Sequence, residues 1–326
     1  LKLSRGLGDV YKRQALFFLY QFIVRIFFAF TIEDIIGIYN INYNFIGTIA
    51  GMYYTGYALS NLSTAVLFER FNFLKITTIG STLITLGLLP FSMNCNPIFL
   101  IIGRITIGIG SGMAMPFFMK AIFTLHSKEN HEFLINSVLM FSTFMLAASI
   151  YILKPIYNVA FGYHDFIHIL IFSGLIQTGI LITTCFSNYA NTNQNGEKIE
   201  TNNLLKFFIN HKILILGIIG GLFVGTLEGF ADLWSIYFFK DAYNIHNSEI
   251  TMSIFWIMLS VSGFILRFIR VKLDLPNSTF LILIGLVKIA MFMLFFYTSY
   301  HNTKLSLETI TPVSYTHLTL PTTMLV

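Results

Sequence analysis

Three ionisable residues stand where an apolar sequence should tolerate none. Arg25 closes the segment Tyr20-Gln-Phe-Ile-Val-Arg25, and Glu228 and Asp232 follow Gly221-Leu-Phe-Val-Gly225 in a later apolar run. An ionised group in such a run is costly, so it faces the protein interior or a water-filled cavity and is a functional candidate by default. For Arg25 two readings stand: a binding role, or a structural salt bridge to a carboxylate on another helix. Glu228 and Asp232, at i,i+4, share one helix face, where two carboxylates could take up and release a proton. Asp232, closer to the end of its run, has simple solvation as its alternative.

The elements that hold these residues follow from composition. The chain is 55% hydrophobic and 11% charged, with 35 Phe among 326 residues. A soluble domain carries about 25% charged residues, so lipid must be the solvent for most of these side chains. A spanning helix needs about 20 mostly apolar residues. Such windows recur nine times, near 15–35, 44–68, 76–95, 97–119, 133–153, 166–186, 213–239, 249–270 and 278–300. The fold class is therefore all-α and integral to the membrane. Residues 187–212 contain the long polar stretch Ser187-Asn-Tyr-Ala-Asn-Thr-Asn-Gln-Asn-Gly-Glu197-Lys198, which reads as a flexible linker between a six-helix half, 15–186, and a second half, 213–311.

The two ends have a different character. Back-translated with ordinary codons, Val10-Tyr-Lys-Arg-Gln14 and Val313-Ser-Tyr-Thr-His317 are encoded by reverse complements of one another. Unrelated protein ends have no reason to share that property, and both resemble translated sequencing-adapter DNA. Residues 1–14 and 312–326 are expected to lie outside the native fold. Without Lys2, Arg5, Lys12, Arg13 and Asp9, the formal charge of +5 falls to about +2. No nucleic-acid partner is implied. Cys95 and Cys185 are too few for a disulfide framework.

Orientation comes from the cations in alternate loops. Arg70, Lys75, Lys120, Lys128, Lys198, Lys206, Lys212, Arg267, Arg270 and Lys272 lie on one side, against Lys154, Lys240 and Lys304 on the other. The positive-inside rule puts the linker and the first group in the cytoplasm. The richness in Ile, Asn, Phe and Lys suggests AT-rich coding DNA, as in a small-genome bacterium or a protist, and the expected location is a bacterial inner membrane.

Two motifs sit near helix ends and interfaces. The second span closes on Ala65-Val-Leu-Phe-Glu69-Arg70-Phe-Asn72, where a small residue permits close helix approach and the charges can bridge neighbouring ends. The fourth carries Arg104-Ile-Thr-Ile-Gly108-Ile-Gly110-Ser-Gly112, a glycine stripe beside an intramembrane cation. Together they resemble the loop and fourth-helix signatures of the major facilitator superfamily, with Ala65, Glu69 and Asn72 departing from the usual Gly, Asp and Gly. The Gly-Pro pair of drug antiporters is missing from the fifth span, and Lys154-Pro155 falls too late to replace it.

The resemblance implies twelve helices in two halves, with a midplane substrate site between them and rocking alternating access. About nine of the twelve are present. The helix-one pattern Tyr20 to Arg25, followed by Gly47, Gly51, Tyr53 and Tyr54, looks like the organic-anion and sugar-phosphate porters of that superfamily. In these an Arg grips the anion, which implies substrate contacts at Arg25, Tyr20, Tyr53 and Tyr54 and proton coupling at Glu228 and Asp232. Acids where phosphate antiporters carry a second Arg turn the expectation from phosphate towards proton-coupled uptake of a small organic anion. Helices one and seven are expected to face each other across a cavity. Transport of a neutral solute, or a membrane sensor that moves nothing, are the alternatives.

The expected partners are a small-molecule substrate, protons and the lipid bilayer, with the chain working as a monomer. No cofactor or metal is expected: His164, Asp165 and His168 could form half a metal site, but no ligand cluster completes it. No nucleophile–base pair or phosphate loop points to an enzyme.

Overall fold

The computed structural model describes residues 2–70, 73–125, 127–159, 162–186, 210–243, 248–274 and 276–300. In chain order its helices are α1 (Lys2–Tyr39), α2 (Tyr43–Arg70), α3 (Phe73–Ser92), α4 (Ile98–Gly112), α5 (Ala114–Leu125), α6 (Lys128–Val159) and α7 (Tyr163–Phe186). They continue as α8 (His211–Gly229), a π turn (Phe230–Trp234), α9 (Ser235–Tyr243), α10 (Ser248–Leu273) and α11 (Asn277–Tyr300). The nine apolar windows fall largely on helix, with residues 93–95 of the third lying past the end of α3. By length and composition Leu16–Tyr39, Leu74–Ser92, Ile98–Pro116, Glu129–Val159 and Tyr163–Thr184 can each cross a bilayer. Residues 187–209 of the expected linker, Asn72 and the 312–326 tail lie outside the described residues, as do the side chains of residues 1–15.

Helix ends follow local chemistry. The side chain of Asn42 accepts the Phe45 N–H at 2.9 Å and so caps the start of α2. Asn40 (φ 48°) and Asp274 (φ 47°) adopt the left-handed conformation just past α1 and α10, a geometry Asn and Asp tolerate better than most residues. The fifth span runs longer than expected, because α6 continues through Pro155 to Val159. Tertiary contacts hold that last turn: Leu153 is fully buried, and the Tyr157 ring meets Phe166 edge-on at 5.3 Å.

The chain forms two compact units. The first comprises residues 1–121 and 151–199, the second residues 122–150 and 200–326, so α6 contributes to both. In the first unit α4 is packed between α2 and α3, α3 also packs on α7, and α1 contacts α2, α3, α4 and α7. The glycines of α4 divide between two faces. A Cβ on Gly110 would meet the Gly80 carbonyl of α3 at 2.5 Å, and one on Gly112 would meet the Tyr57 carbonyl of α2 at 2.6 Å. One on Gly108 would overlap the Tyr53 carbonyl. Without a hydrophobic drive between helices in lipid, such backbone-to-backbone packing supplies the association.

Polarity is arranged inside out. On α7 the bulky Phe172, Leu175 and Ile176 are exposed, whereas Gly174, Gln177 and Thr178 are buried. Thr178 shares a 2.8 Å hydrogen bond with Ser81 of α3, and Thr64 returns its proton to the Ser60 carbonyl at 2.6 Å. In lipid such hydroxyls must find partners within the protein. In the second unit α8 continues through the π turn into α9, which packs on α10. Phe230, Phe238 and Phe239 form an aromatic cluster with centroids 5.5 to 6.2 Å apart beside it.

Candidate functional site

Arg25 is nearly buried, 6% exposed, on the face of α1 that meets α2. Its guanidinium carbon lies 6.0 Å from the centroid of Tyr53 and 5.8 Å from that of Tyr54. Those two rings meet edge to face at 5.2 Å, and Tyr57, one turn further along α2, stacks on Tyr53 at 6.0 Å. Arg25 thus lies beside Tyr53 and Tyr54, two of the residues with which the sequence pattern groups it. The reason is helical: Tyr53 and Tyr57 are four apart and share a stripe.

Arg104 of α4 joins the same cluster, which its sequence motif did not announce. It is 1% exposed, with its guanidinium carbon 4.6 Å from the Phe28 centroid, 4.8 Å from Tyr53 and 5.8 Å from Phe27. Tyr53, itself fully buried, thus has two cations within 6.0 Å of its ring. A desolvated cation over an aromatic face gains about 2 kcal/mol, while burying an ion costs several. Ring contacts alone offset only part of that cost.

Tyr20 is placed elsewhere. Its hydroxyl donates to the Leu170 carbonyl of α7 at 3.3 Å and lies 3.4 Å from Thr85 Oγ1 of α3. Five residues before Arg25, it leaves α1 in another direction. Gln21, four residues before, shares the Arg25 stripe and is 3% exposed. That i,i+4 spacing was the available signal for it.

Of the conformational motif, Gly108, Gly110 and Gly112 lie in the α2–α4 and α3–α4 contacts just described. Glu69 and Arg70 close α2, with their side chains outside the described residues. At the far end of α1 a second polar group forms: Tyr157 of α6 donates to the Asp34 carboxylate, and Tyr39 donates to the Met93 carbonyl at 2.7 Å. Asp34 and Tyr157 are 123 residues apart in sequence, so no local pattern signals their meeting.

In the second unit the π turn changes the reading of the two carboxylates. The Ser235 N–H bonds the Phe230 carbonyl, five residues back, and Ser235 Oγ donates to the Ala231 carbonyl at 2.8 Å. Asp232 lies on this wide turn and is 1% exposed, while Glu228 is half-buried on α8. Solvation, the simpler account of Asp232, is thereby overturned. π turns inside α-helices frequently mark functional positions.

The sequence profile described as Major Facilitator Superfamily matches residues 15–314. No curated protein sequence matches the chain. Among solved structures the fold is similar to a D-xylose–proton symporter, 14% identical with a TM-score of 0.65, covering 96% of this chain and 80% of that one. A bacterial homologue of the human lysosomal transporter Spinster, inward-facing and occupied, is 16% identical with a TM-score of 0.61, covering 96% and 73%. FucP in its outward conformation is 14% identical with a TM-score of 0.60, covering 95% and 82%.

Proposed function

We propose, from the premise that this chain belongs to the major facilitator superfamily and is a membrane transporter, that it moves a small organic anion by alternating access, coupled to protons. The observation that carries the reading is Arg25, buried in the first span against Tyr53 and Tyr54. A guanidinium presents a planar set of donors that matches a carboxylate, and the rings beside it give an apolar body a surface to lie on. With the Tyr20 hydroxyl engaged between α3 and α7, the proposed contacts are Arg25, Tyr53 and Tyr54. Glu228 and Asp232 are the proposed proton carriers, because a carboxylate in a membrane span can bind a proton in one state and release it in the other. A bacterial inner membrane and a monomeric transporter remain part of the proposal.

The test is uptake of a panel of labelled organic acids by proteoliposomes holding the whole protein, with and without an imposed pH gradient. Accumulation that needs the gradient supports the reading. Uptake of neutral solutes alone, indifferent to the gradient, would replace it with facilitated transport of an uncharged substrate.

A further inference from the structure

We infer that the anion held at Arg25 is a hydroxylated carboxylate, an acid with alcohol groups close to its carboxyl, and not a plain hydrocarbon acid. The inference rests on the anion reading above and sharpens it. Three buried polar atoms around the Arg25–Tyr53 contact carry it, and they come from three helices. Gln21 of α1 is 3% exposed, and its Oε1 accepts no hydrogen bond. Tyr53 of α2 is fully buried beneath the Arg25 guanidinium. Its hydroxyl lies beside that of Ser111 of α4, a residue 1% exposed, and the pair has no further hydrogen-bond partner among the described residues.

Buried polar atoms in folded proteins are nearly always bonded, so a cluster of exceptions beside a cation calls for a partner. The chemistry of these atoms narrows the choice. An amide oxygen needs a donor, which neither a carboxylate nor a fully ionised phosphate supplies. A hydrocarbon acid would pair with Arg25, and its carboxylate could accept from the two hydroxyls, but Gln21 Oε1, which needs a donor, would stay unmet. An alcohol group near the carboxyl both donates and accepts, so it can serve Gln21 Oε1 and the Tyr53–Ser111 pair together. The carbon skeleton then lies against the Tyr53 and Tyr54 rings. A site built to bond a hydroxyl discriminates strongly against the analogue that lacks it, since the site's own groups are then left unpaired.

Matched pairs of acids test this first on the unaltered protein. Binding of lactate against propionate, and of gluconate against hexanoate, is measured through thermal stabilisation of the purified whole protein, with glucose and phosphate alongside. The expected result is at least about tenfold tighter binding of the hydroxylated member in one or both pairs, since a single unmet buried group is worth roughly that factor. Gln21→Leu should narrow the gap by weakening the hydroxylated member of each pair. Equal binding within both pairs, or preference for the hydrocarbon acids, overturns the inference. If the pairs bind equally and Arg25→Lys weakens every acid, the anion reading survives and only the hydroxyl requirement falls. If glucose binds and no acid does, the anion reading falls and takes this inference with it.

Discussion

Arg25 and Arg104, on two different helices, both lie within 6.0 Å of the centroid of the same buried ring, that of Tyr53. Tyr53 therefore links a cation of the proposed substrate site to the cation of the glycine-rich α4. A change at the ring has consequences for both. Tyr53→Leu removes the aromatic face that each cation meets, and loss of about 1–2 kcal/mol per contact should appear as a lower thermal midpoint in detergent. Tyr53→Phe keeps the face and should retain most of that stability. Equal destabilisation by the two substitutions would show that the hydroxyl, and not the ring, supports the cluster.

The packing of α4 makes a sharper prediction. Gly110→Val places branched carbons where the Gly80 carbonyl and the Ile84 side chain already sit, at 2.5 and 2.7 Å from the first added atom. Overpacking of this kind costs about 1–3 kcal/mol and more where backbone must move. Folded yield and thermal midpoint should both fall. Gly179→Ala of α7 is the control, since nothing lies within 4 Å of its added carbon, and it should match the parent protein.

Tyr20 separates packing from transport. Its two contacts, at 3.3 and 3.4 Å, are long, so Tyr20→Phe should cost less than about 1 kcal/mol of stability. The KM for transport should not change, whereas Tyr54→Leu should raise it. A raised KM in Tyr20→Phe would return this residue to the substrate site.

The contact between Asp34 and Tyr157 ties α1 to the last turn of α6. Asp34 is only half-buried, so the bond is worth about 1 kcal/mol and not the larger value of a dry charged pair. A double-mutant cycle with Asp34→Asn and Tyr157→Phe should report a coupling of that size in thermal unfolding. Additive effects would mean that the two side chains do not act together.

Much of this was legible in the chain because lipid imposes a simple rule: a helix of about 20 apolar residues satisfies its own backbone across a bilayer. The nine windows follow from that rule, and the glycines of α4 follow from the need for close approach. What could not be read was which neighbour each glycine meets, since Gly110 facing α3 and Gly112 facing α2 depend on three helices at once. The Arg25–Tyr53–Tyr54 grouping was legible from a resemblance, and the Arg104–Tyr53 contact was not, because it joins separate motifs. The direction of Tyr20 was legible in principle: five residues do not return a helix to the same face. The π turn at Phe230–Trp234 has no cue in its residue types, and neither does the burial of Asp232 upon it.

The most direct measurement is accumulation of a labelled organic anion in proteoliposomes under an imposed pH gradient, comparing the parent protein with Arg25→Lys, Glu228→Gln and Asp232→Asn. An ammonium lacks the planar fork of a guanidinium, so Arg25→Lys should raise the anion's KM at least about tenfold. Glu228→Gln and Asp232→Asn should each reduce gradient-driven accumulation while sparing substrate exchange, with the larger loss at buried Asp232. Unchanged accumulation in all three variants would leave these charges with structural roles and contradict the proposal of a proton-coupled anion transporter.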